Sequence, residues 1–166
     1  MNDFGLVLRS ELYTSKEVLE FARLADDSEH ISHLLFPDIP NGYESIELST
    51  ASLALTKRIK VGTGVLRLAE YNPELLARRL QTIQFLSGNR FVLGIGAGSP
   101  GPKPGQTIAR MFSSLEKTKE SFISSSGWQL RLTESVTRIM GRVWVGYSEN
   151  LRPTKDVQSC EIAEIM

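Results

Sequence analysis

The sequence predicts an α/β fold built on a parallel β-sheet. Four short apolar segments recur at intervals of roughly 30 residues, and each is followed by a segment with helical periodicity. Successive right-handed βαβ units produce this pattern. The third and fourth segments, Ile59–Val65 and Phe91–Gly96, carry glycines where the strand ends and before a helix begins. Ligand sites of parallel α/β proteins lie at such strand ends, so we expect the functional residues there.

The composition of the 166-residue chain excludes several classes of function. Apolar residues make up 41% and charged residues 23%, and the 19 basic and 19 acidic residues cancel without a long run of one sign. This leaves no electrostatic footprint for nucleic acid or for an anionic membrane. Cys160 is the only cysteine, which excludes an internal disulfide framework and a cysteine-built zinc site. The sequence has no apolar run of membrane-spanning length and no signal-peptide pattern, so we expect a cytoplasmic protein.

The first βα unit is marked by a short apolar strand and a clear helix start. Phe4–Leu8 has the character of a buried strand. Thr14 and Glu17 have the spacing of a capping box, which begins a helix. The apolar stripe expected on that helix consists of Val18, Leu19, Phe21, Ala22, Leu24 and Ala25.

The second strand and the next two helices follow the same logic. Ile31–Phe36 predicts strand two, because two prolines and a glycine stop the apolar run soon afterwards. Helix two is expected over roughly Tyr43–Thr56, and helix three has clear boundaries: Asn72 can cap it, Pro73 suits its first position and Gly88 can end it. The apolar residues expected to face inward are Ile46, Leu48, Ala51, Leu53, Ala54 and Leu55 on helix two, and Leu75, Leu76, Leu80, Ile83 and Leu86 on helix three.

The regular alternation weakens beyond Gly98. Three prolines and two glycines predict a loop at Ser99–Gly105, and helical periodicity resumes over Ile108–Phe122. Trp128–Leu132 and Val143–Val145 are candidates for two more strands. We expect the last 15 or so residues to be irregular.

Four motifs in the first 105 or so residues, taken together in their order and spacing, resemble the N-terminal half of the bacterial-luciferase-like family. They are Phe36-Pro37-Asp38, Ala54–Val65, Asn72–Arg78 and Leu86–Gly98. Members of this family are flavin- or deazaflavin-dependent oxidoreductases and monooxygenases on a (β/α)8 barrel. The branch that includes methylenetetrahydromethanopterin reductase is the most similar.

The resemblance implies an incomplete TIM barrel of the (β/α)8 type, with about four to six βα units around a parallel sheet. Residues 1–105 would form the N-terminal half-barrel, and residues 106–166 the fourth helix with a degenerate or truncated C-terminal segment, in a single domain. The cofactor would be FMN or coenzyme F420, and the reaction a hydride transfer between that cofactor and a small organic substrate. The choice between flavin and deazaflavin stays open.

The resemblance also implies five cofactor-binding positions at the strand ends: Gly64, Val65, Gly94, Gly96 and Gly98. Gly64-Val65 matches the place where the family has a non-proline cis peptide behind the cofactor ring. From the residues alone, the glycines of strand three can equally serve a bulge or turn, and those of strand four can serve tight packing.

Asp38 and Arg67 are the candidate catalytic residues. Asp38 follows strand two, where an acid can orient a polar group of substrate or cofactor, or cap the following loop. Family members often place histidine directly after this acid, whereas this sequence has Ile39. Arg67 is expected in the loop after strand three, near the proposed ring face, where a solvated charge is the alternative. His33 is expected in the core, and the two histidines have no partner set for a metal site.

Three functions remain open from the sequence. A complete barrel takes about 250 residues, so four strands and a fragment would leave an open edge. The first is an enzyme, which would need a homo-oligomer or a complementary half-barrel chain to complete its barrel, besides its small-molecule substrate. The accompanying hypothesis is that the coding sequence is truncated or frameshifted. The second function is a catalytically inactive half-barrel or interaction module. The third is a Rossmann-type nucleotide-binding domain, from the spacing of Gly96–Gly101, which Pro100, Pro102 and Pro104 disfavour by removing amide donors.

Overall fold

Strands and helices alternate along the described part of the chain. The computed structural model describes residues 4–96, 110, 113–118, 120, 130–133 and 161–165. The strands are β1 Phe4–Val7, β2 Ile31–Phe36, β3 Lys60–Arg67, β4 Phe91–Gly96, β5 Leu130–Thr133 and β6 Glu161–Ile165; the helices are α1 Ser15–Asp27, α2 Ser45–Leu55 and α3 Pro73–Ser87. Among these residues, none of the helices is long and apolar enough to span a membrane.

The first four strands form the predicted parallel sheet. They lie in the order β1-β2-β3-β4, so each strand pairs with the next one along the chain. A helix connects each consecutive pair, as in the first half of a β/α barrel. The predicted α/β fold class is confirmed.

Two antiparallel strands extend this sheet and correct two expectations. β6 pairs with β4, and β5 pairs with β6. The edge of β4, expected to be open, is therefore hydrogen-bonded, which protects backbone groups that an unpaired edge would expose. The expectation of an irregular C-terminus is wrong for β6. The strand expected at Trp128–Leu132 is found at Leu130–Thr133, while the candidate at Val143–Val145 lies outside the described residues.

The predicted start of α1 and both predicted ends of α3 are confirmed. Thr14 accepts a hydrogen bond from the Glu17 amide, and the Glu17 carboxylate accepts one from the Thr14 amide at 2.8 Å. Asn72 caps α3 through the Leu75 amide at 2.9 Å. Gly88 ends that helix with φ +64°, a left-handed conformation that glycine adopts without steric cost.

The core lies between the helices and one face of the sheet. Its largest fully buried side chains are Phe36, Phe91, Leu34, Ile46, Ile59, Leu66, Leu68, Leu76, Leu80, Leu93 and Ile95. Leu115, from the helical residues 113–118, packs into the same core. The expectation that Leu75 and Leu86 face inward from α3 is wrong, since both are exposed.

The inward face of α2 also differs from the expectation. Ser45, Ser49 and Ser52 are buried, whereas Ala51, Ala54 and Leu55, expected to face inward, are exposed. Small side chains let a helix approach the sheet closely, and the Ser49 hydroxyl donates to the Ser45 carbonyl at 2.7 Å. Such a local bond satisfies the buried Ser49 hydroxyl, which a count of apolar residues does not anticipate, whereas Ile46 and Leu53 are buried as expected.

Asp26 fixes the connection between α2 and β3 at the amino-terminal end of the sheet. Its carboxylate accepts hydrogen bonds from the amides of Lys57, Arg58 and Ile59 at 2.8, 2.8 and 2.9 Å. Burial pushes the pKa of Asp26 upward, but the three amide donors outweigh it and hold the pKa below its ordinary value.

Arg90 supports the same end of the sheet. Its guanidinium donates to the carbonyls of Leu53, Thr56, Ile59 and Ser87 at distances from 2.9 to 3.1 Å. A single side chain thus joins the last turn of α2, the start of β3 and the end of α3.

Candidate cofactor site

β3 carries a bulge near its carboxyl end. Thr63 pairs with Leu93 and Leu66 with Ile95, so two residues of β3 lie opposite Gly94 alone. The peptide bond that joins those two residues, Gly64 and Val65, is cis. This confirms the backbone geometry that the family resemblance implied at this position.

Val65 and Leu66, which are neighbours in the chain, lie on opposite faces of the sheet, as successive strand residues do. Leu66 is fully buried in the core beneath the helices. Val65 is half-buried and lies against Gly94 and Gly96, whose positions alternate with the core residue Ile95. Val65 is therefore on the inner face, which the core does not fill.

Glycines are required on this inner face. A Cβ added at Gly96 would come within 2.6 Å of Val65 Cγ2, and one added at Gly64 within 2.8 Å of Leu35 Cβ. At Gly94 it would collide with the backbone carbonyl oxygen of Thr63. The tight-packing explanation for these glycines thus holds in this fold. Gly98, the fifth position predicted to bind cofactor, lies outside the described residues.

The two candidate catalytic residues contact each other. The Asp38 Oδ2 atom lies 3.4 Å from Arg67 Nε, and the same oxygen accepts the Arg67 backbone amide at 3.1 Å. The side chain of Asp38 is 5% exposed and that of Arg67 21%. Arg67 is the last residue of β3, so the expectation that it lies in the following loop is wrong. The pair forms a nearly buried ion pair at the carboxyl ends of β2 and β3.

Arg67 also joins this buried carboxylate to an exposed one. Its Nη1 atom lies 2.8 Å from Glu70, whose side chain is mostly exposed. The single positive charge of the guanidinium is thereby shared between two acids of this chain. The alternative of a freely solvated Arg67 does not describe this side chain.

Tyr71 and Glu44 extend the network, and sequence reasoning missed both. The Tyr71 hydroxyl donates to Glu44 Oε1 at 2.6 Å and lies 3.4 Å from Asp38 Oδ2. Burial first, then the hydrogen bond to Glu44 and the negative charges of Asp38 and Glu44, raise the pKa of Tyr71 well above its ordinary value. The phenol therefore stays protonated and acts as a donor.

Glu44 anchors this network to a helix. Its Oε2 atom accepts the amides of Ile46 and Glu47 at 2.7 and 3.0 Å, which caps α2. Arg79 of α3 ion-pairs with Glu44 at 3.6 Å and with Glu47. The available sequence signal was an acid immediately before a helix, although glutamate is not a preferred cap.

The histidines lie outside this network. His33, in β2, is half-buried and its Nδ1 atom is 2.8 Å from the Ser32 hydroxyl, while His30 is exposed before the strand. Within the described ranges, no three His, Cys, Asp or Glu side chains are grouped so as to hold a metal ion.

Comparison with known proteins places this geometry in a family context. The sequence profile of the luciferase-like monooxygenases matches residues 4–122. The chain is 46% identical over 56 residues to 4-hydroxyprotoasukamycin monooxygenase of Streptomyces nodosus subsp. asukaensis, covering 33% of this chain and 15% of that protein. It is 35% identical over 82 residues to 5,10-methylenetetrahydromethanopterin reductase of Archaeoglobus fulgidus, covering 49% and 24%. It is 29% identical over 102 residues to F420-dependent glucose-6-phosphate dehydrogenase of Amycolatopsis mediterranei, covering 57% and 31%. The aligned part of the chain thus spans less than a third of each of these relatives.

Solved structures show the same fold. The oxygenating constituent of 3,6-diketocamphane monooxygenase from Pseudomonas putida, in complex with FMN, superposes with a TM-score of 0.61 at 21% identity, covering 94% of this chain and 46% of that one. The coenzyme F420-dependent tetrahydromethanopterin reductase from Methanopyrus kandleri gives a TM-score of 0.52 at 24% identity, covering 66% and 30%. Both likenesses support the barrel-type α/β fold.

Proposed function

This chain belongs to the luciferase-like monooxygenase family, and on that premise we propose that it is part of an oxidoreductase that binds FMN or coenzyme F420 at the carboxyl ends of β3 and β4. The observation that carries the proposal is the bulge at Gly64-Val65, with Val65 lying over Gly94 and Gly96. Relatives named as F420-dependent and a structural neighbour in complex with FMN support both cofactor classes.

The residues at these strand ends fit a flat conjugated ring. Gly94 and Gly96 add no side chains to this surface, because Val65 occupies the space beside their backbone, and a planar group can therefore lie against Val65. Val65 supplies one branched aliphatic contact beside them. We assign Gly64, Val65, Gly94 and Gly96 as the residues that would hold the ring, with Gly98 added from its sequence position. When bound, the cofactor supplies the hydride or oxygen chemistry.

The chain's own residues would bind and orient the cofactor and the substrate, and would exclude water from the site. The bulge fixes the position of Val65, and the closely packed core behind it, including Leu66 and Ile95, keeps water from that side of the sheet. Asp38 and Arg67 form the polar part of the proposed site, at the ends of β2 and β3. We propose a small organic molecule as the substrate, since the 19 basic and 19 acidic residues of the sequence cancel without the long run of one sign that a charged macromolecule would favour.

Further βα units, pairing with the outer strands β1 and β5 of the sheet, are proposed to complete the barrel around this site. The aligned region covers less than a third of each curated relative. A homo-oligomer, a complementary half-barrel chain or additional sequence of the same protein can supply them. Light scattering on the purified chain, with and without cofactor, measures the first of these.

Titration of the natively purified chain with FMN and with F420, followed by absorbance and fluorescence, tests the proposal. Gly96→Ala is the informative variant, because its Cβ would displace Val65, and we expect about a tenfold loss of affinity. Gly5→Ala is the matched control, since its Cβ would make an ordinary 3.6 Å contact with His33. A wild-type chain that binds neither cofactor as monomer or oligomer refutes the proposal and favours the inactive half-barrel.

A further inference from the structure

Asp38 forms hydrogen bonds with β3 on both sides of Leu66, the residue that follows the bulge. We infer that it is a positioning residue, which holds the Gly64-Val65 bulge, and hence Val65, in place for the cofactor ring. The inference rests on the proposed function for the role of the ring, but the hydrogen bonds between Asp38 and β3 are a property of the chain without ligand.

Two hydrogen bonds join Asp38 to β3. The backbone amide of Asp38 donates to the carbonyl oxygen of Val65 at 3.2 Å. The carboxylate of Asp38 accepts the backbone amide of Arg67 at 3.1 Å. Asp38 therefore binds the second residue of the bulge and the residue two positions beyond it.

β3 needs such a partner because its neighbour ends early. The pairing of β2 with β3 stops at Phe36 and Thr63, just before the bulge. The next residue, Pro37, has no amide hydrogen to continue the ladder. Asp38 instead supplies β3 with one backbone donor and one side-chain acceptor, which replace the backbone groups of a further paired residue of β2.

Other side chains hold the Asp38 carboxylate in this position. The Arg67 guanidinium lies 3.4 Å from both carboxylate oxygens, and the Tyr71 hydroxyl lies 3.4 Å from Oδ2. Tyr71 is in turn bound to Glu44, the cap of α2. Because the Asp38 side chain is almost fully buried and surrounded by these groups, it is better placed to orient β3 than to meet a substrate directly.

Amide hydrogen exchange of the full chain, without ligand, tests whether Asp38 holds β3 in this way. Asp38→Ala removes the acceptor of the Arg67 amide, so we expect that amide to exchange about tenfold faster or more, with shifted amide resonances for Val65, Gly94 and Gly96. Glu70→Gln is the matched control, because it removes the other carboxylate beside Arg67 and leaves Asp38 intact. Unchanged exchange at Arg67 and unchanged resonances would overturn the inference. If Asp38→Ala does not fold, Asp38→Leu, which is similar in size but offers no acceptor to the Arg67 amide, is measured with the same criteria.

Cofactor titration of the same variants tests the consequence for the ring. We expect Asp38→Ala to weaken binding of FMN or F420 by about tenfold and to alter the absorbance spectrum of the bound cofactor, with Glu70→Gln like wild type. Faster exchange with wild-type affinity and spectrum would overturn the positioning role and leave Asp38 a structural residue. If the wild-type chain binds neither cofactor, the proposed function fails, and the exchange experiment still decides whether Asp38 holds the bulge.

Discussion

Substitution of Asp26 by alanine should destabilise the fold without weakening the cofactor site. Its carboxylate is the common acceptor of three backbone amides at the start of β3. Ile59 is fully buried, so its amide would lose a charged acceptor without access to water, at about 2 kcal/mol. Lys57 and Arg58 are exposed, and their amides can be hydrated at about 0.5 kcal/mol each. We expect a loss of about 3 kcal/mol in the free energy of unfolding.

Urea denaturation followed by circular dichroism measures this loss. Asp27→Ala is the matched control, because Asp27 is the neighbouring acid on α1 and is exposed. A loss in Asp26→Ala that lies within about 1 kcal/mol of the control would refute the assigned role of these hydrogen bonds. Cofactor affinity, measured where both variants are folded, should match that of wild type.

The contribution of Asp26 to the free energy of unfolding depends on pH with a defined sign. The folded-state pKa of Asp26 is held below the ordinary value of 3.8, so its stabilising contribution is present above that value. The contribution is lost as the pH falls through the lowered folded-state pKa. Wild type should therefore lose more stability than Asp26→Asn on acidification through and below the ordinary aspartate pKa. Equal losses in the two proteins would contradict the assignment.

Three other substitutions have expected outcomes. Arg90→Met should cost about 3 to 4 kcal/mol in urea denaturation, because four carbonyls lose their charged donor, whereas the exposed Arg78→Met should cost little. Tyr71→Phe should lower the free energy of unfolding by about 1 kcal/mol through the lost hydrogen bond to Glu44. In a pH titration, wild type and Tyr71→Phe should have equal phenolate absorbance at pH 10.0, the ordinary pKa of tyrosine, because Tyr71 is still protonated there. Gly62→Ala should cost about 3 kcal/mol or prevent folding, since its Cβ would collide with the Val92 carbonyl, and Gly5→Ala serves as its control.

Local signals made the first half of the fold predictable. The capping box at Thr14 and Glu17 and the boundary residues of α3 act over three or four positions, and each was found where the sequence placed it. The buried face of α2 was not predictable in this way. Ser49 is buried with its hydroxyl bonded to a carbonyl of the same helix, a contact that a count of apolar residues ignores.

The candidate site depends on contacts between distant parts of the chain. Glycines in β3 signalled an irregular strand, but the bulge exists only because of its register with β4, about 30 residues away. Asp38 was singled out as an acid at a strand end, yet its bond to Val65 depends on where β2 stops pairing with β3. The bond between Tyr71 and Glu44 and the pairing of β6 with β4 likewise had no local signature.

We expect the polar side chains at the two ends of the sheet to serve different purposes. Asp26 and Arg90 bind backbone groups at the amino-terminal end, where β/α barrels keep residues that serve stability. Asp38 binds backbone groups in a similar way at the carboxyl end, but those groups flank the bulge beside the proposed ring site. If this division is correct, Asp26→Ala lowers unfolding free energy at unchanged cofactor affinity, whereas Asp38→Ala lowers affinity by more than its effect on stability explains. Parallel losses of stability and affinity in both variants would show that the carboxyl-end network serves only to hold the fold.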